Sequence, residues 1–192
     1  MDGKYSFSLD ESTMSRAGLH LGQVIDEQEI ESLVLKDEFY RARDYGFLLL
    51  SYRDRSEREF RKRLLDKDFH RDVVEEVVQF FKGENLIDDR VFAERWIETA
   101  LSSRPMGAMR VRHELRAKLV ADPVIDEVIR VRLGREREQE LARQAALKKL
   151  RTLEGYPTET AKRRFLGYLQ TRGFQFDIIH ELVKEHFGDD VG

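Results

Sequence analysis

The chain contains no cysteine, so a disulfide framework, a thiolate metal site and a thiol nucleophile are all excluded. Long apolar runs are missing as well. No stretch approaches the roughly eighteen residues needed to cross a bilayer, and the opening MDGKYSFSLDE lacks the apolar core of a signal peptide. A cytoplasmic protein with no membrane attachment is expected. The phosphate cradles G-x-x-x-x-G-K-[ST] and G-x-G-x-x-G do not occur, nor does the nucleophile elbow G-x-S-x-G. His20, His70, His113, His180 and His186 show no pair four residues apart with a glutamate between them, which removes the usual zinc-binding helix. Asp88 and Asp89 would point about 100° apart on a helix, and their place before an apolar stripe reads as capping. No catalytic residue, metal, cofactor or small-molecule substrate is expected.

Proline is scarce, with three in the chain, and Pro105 and Pro157 fall at breaks between apolar stripes, where a missing amide donor does no harm. What the chain does have is helix-forming amphipathic sequence, 41% hydrophobic and 37% charged, ample for a buried core with wet faces. A block of about fifty residues recurs three times. In the first copy Glu59, Phe60, Arg61, Leu64, Phe69, Val73, Val74, Val77 and Val78 trace a second and third helix. Fifty-five positions on, Glu114, Leu115, Arg116, Leu119, Val124, Val128 and Ile129 fall at matching offsets. At 105 positions the series is Phe165, Leu169, Phe174, Ile178, Ile179, Leu182 and Val183. Stacked units of this kind bury apolar faces against one another and present an extended surface to a long partner. The expected fold is all-α: three tandem three-helix repeats, at 37–83, 86–133 and 136–188, in an elongated, curved array after an N-terminal segment, 1–36.

Within that segment Lys4 to Leu9 alternates polar and apolar, suggesting a β-hairpin, and Gly18 and Gly22 punctuate the stretch after it. A helix is signalled from Asp26, with Glu29 three residues on. Repeat one opens near Asp37, and Ser56-Glu57-Arg58-Glu59 is a capping box for its second helix. Gly173 is placed in the turn between the second and third helices of copy three, with Asp68 and Asp122 at the related turns.

Net charge is −3, but it is segregated. Residues 1–50 carry five basic against ten acidic side chains, 51–103 eleven against thirteen, 104–172 seventeen against nine, and 173–192 one against five. The excess of eight positive charges in 104–172 suggests a footprint for a polyanion or an acidic protein surface. Glu59 with Arg63 and Glu114 with Lys118 read as supporting pairs within helices. Arg61, Arg110, Arg112, Arg116, Lys118, Lys162, Arg163, Arg164 and Arg172 are the candidate partner-binding residues, open between a binding band and a solvated face.

Four ordered motifs carry a resemblance to a known family: Leu50-Ser51-Tyr52-Arg53-Asp54-Arg55-Ser56-Glu57-Arg58-Glu59-Phe60-Arg61, Leu86-Ile87-Asp88-Asp89-Arg90-Val91-Phe92-Ala93, Arg104-Pro105-Met106-Gly107, and Glu114-Leu115-Arg116-Ala117-Lys118. Tyr5-Ser6-Phe7-Ser8-Leu9 with Gly18-Leu19-His20-Leu21-Gly22 adds to it. Together they resemble the RecX family of bacterial recombinase regulators over nearly the whole chain. The resemblance implies three tandem three-helix modules and binding in the groove of the RecA filament on single-stranded DNA across successive protomers; a monomer is expected. It further implies suppression of ATPase, strand exchange and coprotease activities, and leaves contact with single-stranded DNA open. The chain departs from the family's usual glycine at Asp68 and Asp122, and Val120-Ala121-Asp122-Pro123 is not its common Lys-Gly-Ile, which leaves the module-two turn open to a shift. The alternative is a DNA-binding helix-turn-helix protein that acts without a recombinase. It is disfavoured by third helices, Asp72 to Gln79 and Asp126 to Arg132, that offer few clustered base-reading side chains.

Overall fold

The computed structural model describes residues 8–20 and 22–188. Ten α-helices form the regular structure of those residues: α1 (Glu11–Arg16), α2 (Glu27–Tyr52), α3 (Glu57–Leu65), α4 (Arg71–Gly83), α5 (Asp89–Ser103), α6 (Ala108–Ala117), α7 (Asp122–Arg132), α8 (Arg135–Arg151), α9 (Thr158–Thr171) and α10 (Phe176–Phe187). From α2 onward they fall into three consecutive triplets, the all-α repeat class expected from sequence. The alternation at Lys4 to Phe7 lies outside the described residues. Residues 1–88 form one compact unit containing the first triplet, and 89–192 a second containing the other two.

In the first unit, α2 opens on a full capping box. Asp26 Oδ1 accepts from Glu29 N at 2.7 Å while Asp26 N donates to Glu29 Oε2 at 3.2 Å. No glycine or proline interrupts the chain before Gly46, so the helix signalled at Asp26 and the first helix of repeat one are a single element of 26 residues. Ser56 caps α3 as expected, accepting from Glu59 N at 3.2 Å. Phe60 and Leu64 of α3 and Val73, Val74, Val77, Val78 and Phe81 of α4 pack on Ala42 and Leu49 of α2. The Phe60 and Phe81 rings, 4.9 Å apart, reach the α2 backbone at Gly46, where a Cβ would stand 2.8 Å from both.

The second unit has one continuous core. Ile97 and Leu101 of α5, Val111 and Leu115 of α6 and Ile125 and Val128 of α7 join Ala142, Ala145, Phe165, Leu169, Ile178 and Ile179 of the third triplet. Because neither triplet closes its core alone, both are parts of one folded body.

The 105-residue spacing between the first and third triplets holds: Phe165, Leu169, Ile178, Ile179, Leu182 and Val183 are buried like Phe60, Leu64, Val73, Val74, Val77 and Val78. The 55-residue spacing to the second does not. Ser56 and Gly107 cap the second helices, and His70 and Ala121 the third helices, each pair 51 residues apart. Lys67 stands over the Tyr45 ring as Lys118 stands over Trp96, and Arg61 reaches Glu75 as Arg112 reaches Asp126, again 51 apart. The discrepancy of four residues is about one helical turn. Sliding an amphipathic helix by one turn lays apolar stripe on apolar stripe, so periodicity alone does not register it.

The turn of the second triplet is shifted accordingly. Asp68 (φ 60°) and Gly173 (φ 77°) have left-handed backbone as expected, but their counterpart is Leu119 (φ 64°), while Asp122 opens α7. Leu119 is 38% exposed, and Val120 takes the buried position beside it. Left-handed backbone costs a leucine about 1–2 kcal/mol. Leu119→Gly is therefore expected to raise stability by about 1 kcal/mol and Asp122→Gly to lower it, as measured by urea denaturation; the reverse order would refute the shifted turn.

Candidate partner-binding surface and the junction of modules two and three

The nominated cations divide by how their charge is met. Arg61, in the first unit, donates to Glu75 at 2.6 Å and to Glu57 at 2.9 Å, and the Glu75 hydrogen bond in particular raises its pKa above the usual arginine value. In the second unit Arg110 donates to Glu114 at 2.6 Å, Arg116 to Asp122 at 2.6 Å, and Arg112 pairs with Asp126. Lys118 stands 5.7 Å from the Trp96 ring. The expected helix pairs are replaced in part, since Glu59 is held by Arg53 and Arg55, and Glu114 by Arg104 and Arg110. Module two thus compensates most of its nominated arginines internally.

Module three arranges its cations differently. Lys162 is half-buried and Arg163 exposed on α9. Arg164 lies 4.2 Å over the Tyr156 ring, and Arg172 lies 5.1 Å over Tyr168 while donating to the Pro105 carbonyl at 3.4 Å. Lys149 of α8, not nominated from sequence, also stands 5.4 Å from the Tyr168 ring. Its signal was missing because α8 and α9 meet only through the fold, although Arg164, Tyr168 and Arg172 are visibly spaced by four.

These side chains sit beside a junction built mostly from backbone. Gly107 N donates to the Arg172 carbonyl at 2.9 Å and Met109 N to the Gly173 carbonyl at 3.0 Å, joining the start of α6 to the turn after α9. The approach requires glycine on both sides: a Cβ on Gly107 would lie 2.3 Å from Gly173 O, and one on Gly173 would lie 2.3 Å from Arg110 N. Glu138 of α8 completes the junction with no exposed surface. Its Oε1 accepts from Ala108 N at 3.0 Å and Gln175 N at 3.2 Å, and its Oε2 from Gln175 Nε2 at 2.8 Å. Gly107 and Gln175 begin α6 and α10 without a side-chain hydrogen bond to their own helix amides. One buried carboxylate therefore serves two helix starts, where orphan amides and the helix dipole both favour negative charge.

Exposed ion pairs brace the same two modules, one of them, Arg137 with Glu98, spanning from module three to module two and the others lying within a module. Arg132 and Arg137 reach from the α7–α8 region to Glu94 and Glu98 of α5, at 2.7 and 2.8 Å, and Arg135 of α8 pairs with Asp177 of α10. The hydrogen bond from Arg132 holds the Glu94 carboxyl below its ordinary 4.5, and Arg137 does the same for Glu98. Among the described residues no three His, Asp or Glu side chains converge as a metal site would, and no helix is long and apolar enough to cross a membrane.

A tandem array of three-helix modules, two of them locked by a backbone junction, defines a helical-repeat protein, a class that works through extended surfaces. Comparison with known proteins narrows it. Residues 42–81, 88–129 and 136–183 match the first, second and third three-helix domains of RecX. The regulatory protein RecX of Bacillus velezensis is 31% identical over 99% of this chain and 73% of its own length, and that of Clostridium acetobutylicum 27% identical over 99% and 89%. A crystal structure of regulatory protein RecX superposes with a TM-score of 0.79 at 28% identity, covering 97% of this chain and 92% of that one. A RecX structure from Lactobacillus salivarius, 21% identical and covering 78% of this chain and 97% of that one, shares the fold with a TM-score of 0.73. The chain belongs to the RecX family of regulatory proteins.

Substitutions and pH both probe the junction. Glu138→Ala leaves three donors without their acceptor and is expected to destabilise the second unit by about 2–3 kcal/mol, with Glu138→Gln milder because one acceptor oxygen remains. Urea unfolding monitored by Trp96 fluorescence measures both, and equal stability for all three proteins would sink the assignment. Glu94 and Glu98 have lowered folded pKa values, so their contribution is present above about pH 4.5 and is lost as pH falls through the lowered values. Stability is expected to decline on acidification below that point, and Arg137→Gln to flatten the decline, as read from denaturation midpoints against pH.

Proposed function

We propose that the protein regulates the RecA recombinase, lying along the groove of the RecA filament on single-stranded DNA and touching successive protomers. In that position it suppresses ATP hydrolysis, strand exchange and coprotease activity. The observation that carries this reading is the succession of three RecX-type domains in order along one chain. A filament repeats one surface at regular intervals, and serial modules can engage several copies, so weak contacts multiply into avidity.

The junction supports the same reading. Modules two and three enter the groove already fixed to each other through Glu138, Gly107 and Gly173, which reduces the ordering cost of association. Their basic excess approaches acidic protomer surfaces or exposed phosphates, making association faster and salt-sensitive. On this reading the protein works as a monomer in the cytoplasm, and the cations of α9 carry more of the contact than the carboxylate-paired arginines of module two.

Adding the purified protein to RecA on single-stranded DNA is expected to lower ATP hydrolysis, with less inhibition as salt rises. The Arg163→Glu, Arg164→Glu double variant is expected to inhibit less at low salt. Undiminished hydrolysis at a saturating excess of the wild-type protein would overturn the proposal.

A further inference from the structure

The three modules act as controls for one another along the second helix. At equivalent positions spaced by four, the outer stripe reads Glu59, Arg63 and Lys67 in module one, Arg110, Glu114 and Lys118 in module two, and Arg164, Tyr168 and Arg172 in module three. Each of the first two stripes contains a glutamate that gathers arginines: Arg53 and Arg55 on Glu59, Arg104 and Arg110 on Glu114. The third contains none. Lys149, Arg164 and Arg172 make no ion pair with any carboxylate among the described residues, and each rests on a tyrosine ring instead.

Arginines elsewhere in the second unit close onto Glu94, Glu98, Asp122, Asp126 and Asp177, and although Lys67 and Lys118 also stand over rings, each shares its stripe with a glutamate. Three cations on one face repel one another, and cation–π contact leaves their N–H donors available to an anion. Tyr156, in the turn between α8 and α9, has one ring face under Arg164 yet remains 44% exposed. From Arg164 to Arg172 the stripe runs eight residues, about 12 Å at helical rise. That length matches about three or four phosphates at stacked-strand spacing.

We propose that this stripe is a binding site for single-stranded nucleic acid, with Lys149, Arg164 and Arg172 holding backbone phosphates and Tyr156 taking an unpaired base on its open face. Positive charge interleaved with aromatic rings is the chemistry that holds a single strand without reading its sequence. A duplex offers phosphates but no free base face, and an acidic protein surface offers no flat ring for Tyr156. The site deepens the regulatory reading and rests on it for the presence of a single strand.

The test uses the whole protein and a short labelled oligothymidylate, without recombinase, monitored by fluorescence anisotropy. Wild-type protein is expected to bind at low salt. Lys149→Gln with Arg164→Gln is expected to weaken binding more than about tenfold and to reduce the slope of log K against log salt by about 1.4. Arg172 is left intact because it also bonds Pro105. Tyr156→Ala is expected to cost about fivefold with the slope unchanged, Tyr156→Phe to restore affinity, and Arg164→Lys to keep the slope. Circular dichroism confirms folding of each variant, and Arg43→Gln with Arg53→Gln, which removes carboxylate-paired charges of the first unit, is expected to bind like wild type. No binding by wild type, no effect of Tyr156→Ala, or displacement of the oligonucleotide by polyglutamate as readily as by unlabelled strand would overturn the site. If the oligonucleotide is not bound while RecA hydrolysis is still suppressed, this site fails and the regulatory reading stands; the opposite pattern sinks that reading and keeps the site.

Discussion

Glu138 is a carboxylate with no exposed surface, and its three hydrogen bonds come from two places that sequence order separates widely: the start of α6 and the residue that caps α10. A charge so placed is tolerable only when its oxygens are met by donors, and here the donors are amides that the helices cannot satisfy themselves. The same contact lets the α6 amides Gly107 N and Met109 N reach the carbonyls of Arg172 and Gly173. Modules two and three therefore share one core and one polar junction, and the surface they carry has a fixed shape. The glycines at 107 and 173 are explained by that approach, because any side chain at either position would collide with the opposite backbone.

Charge is distributed around this junction in two different ways. Module two has many arginines, yet those nominated from sequence meet carboxylates, Arg110 within its own helix and Arg112 and Arg116 on α7, where exposed pairs contribute little stability and mainly set orientation. Module three keeps cations on tyrosine rings. Within the basic excess counted along residues 104–172, Lys149 of α8 and Arg164 and Arg172 of α9 stand over tyrosine rings and make no ion pair with a carboxylate among the described residues. Cations held on a rigid support without a carboxylate partner make contacts that respond to salt and competition while the support keeps them in register.

Much of this protein was legible in its sequence. The 3.6-residue stripes, the cap at Ser56, the breaks at Arg104–Gly107 and Gly155–Pro157, and the left-handed turns at Asp68 and Gly173 are local features, and local features are written in local sequence. The exceptions are instructive. The second turn fell at Leu119, and the module offset at 51 residues, because a slip of one helical turn preserves the apolar pattern and only the contacts Lys118 to Trp96 and Arg112 to Asp126 reveal it. The continuity of α2 through Asp37 was hidden for a related reason: a polar residue that looks like a boundary is buried, accepting from Asp10 N.

Sequence alone determined the helical class, the number of modules and the family, since these depend on periodicity and on motifs whose order along the chain survives without a structure. The tertiary fold decided which charges remain available and which residues lock the modules. Whether an arginine meets a carboxylate 14 or 38 residues away, as Arg112 and Arg132 do, depends on how helices cross. Whether a glutamate at position 138 is a solvated charge or a buried pin depends on two helix ends arriving at the same point, and no spacing within one helix encodes that meeting.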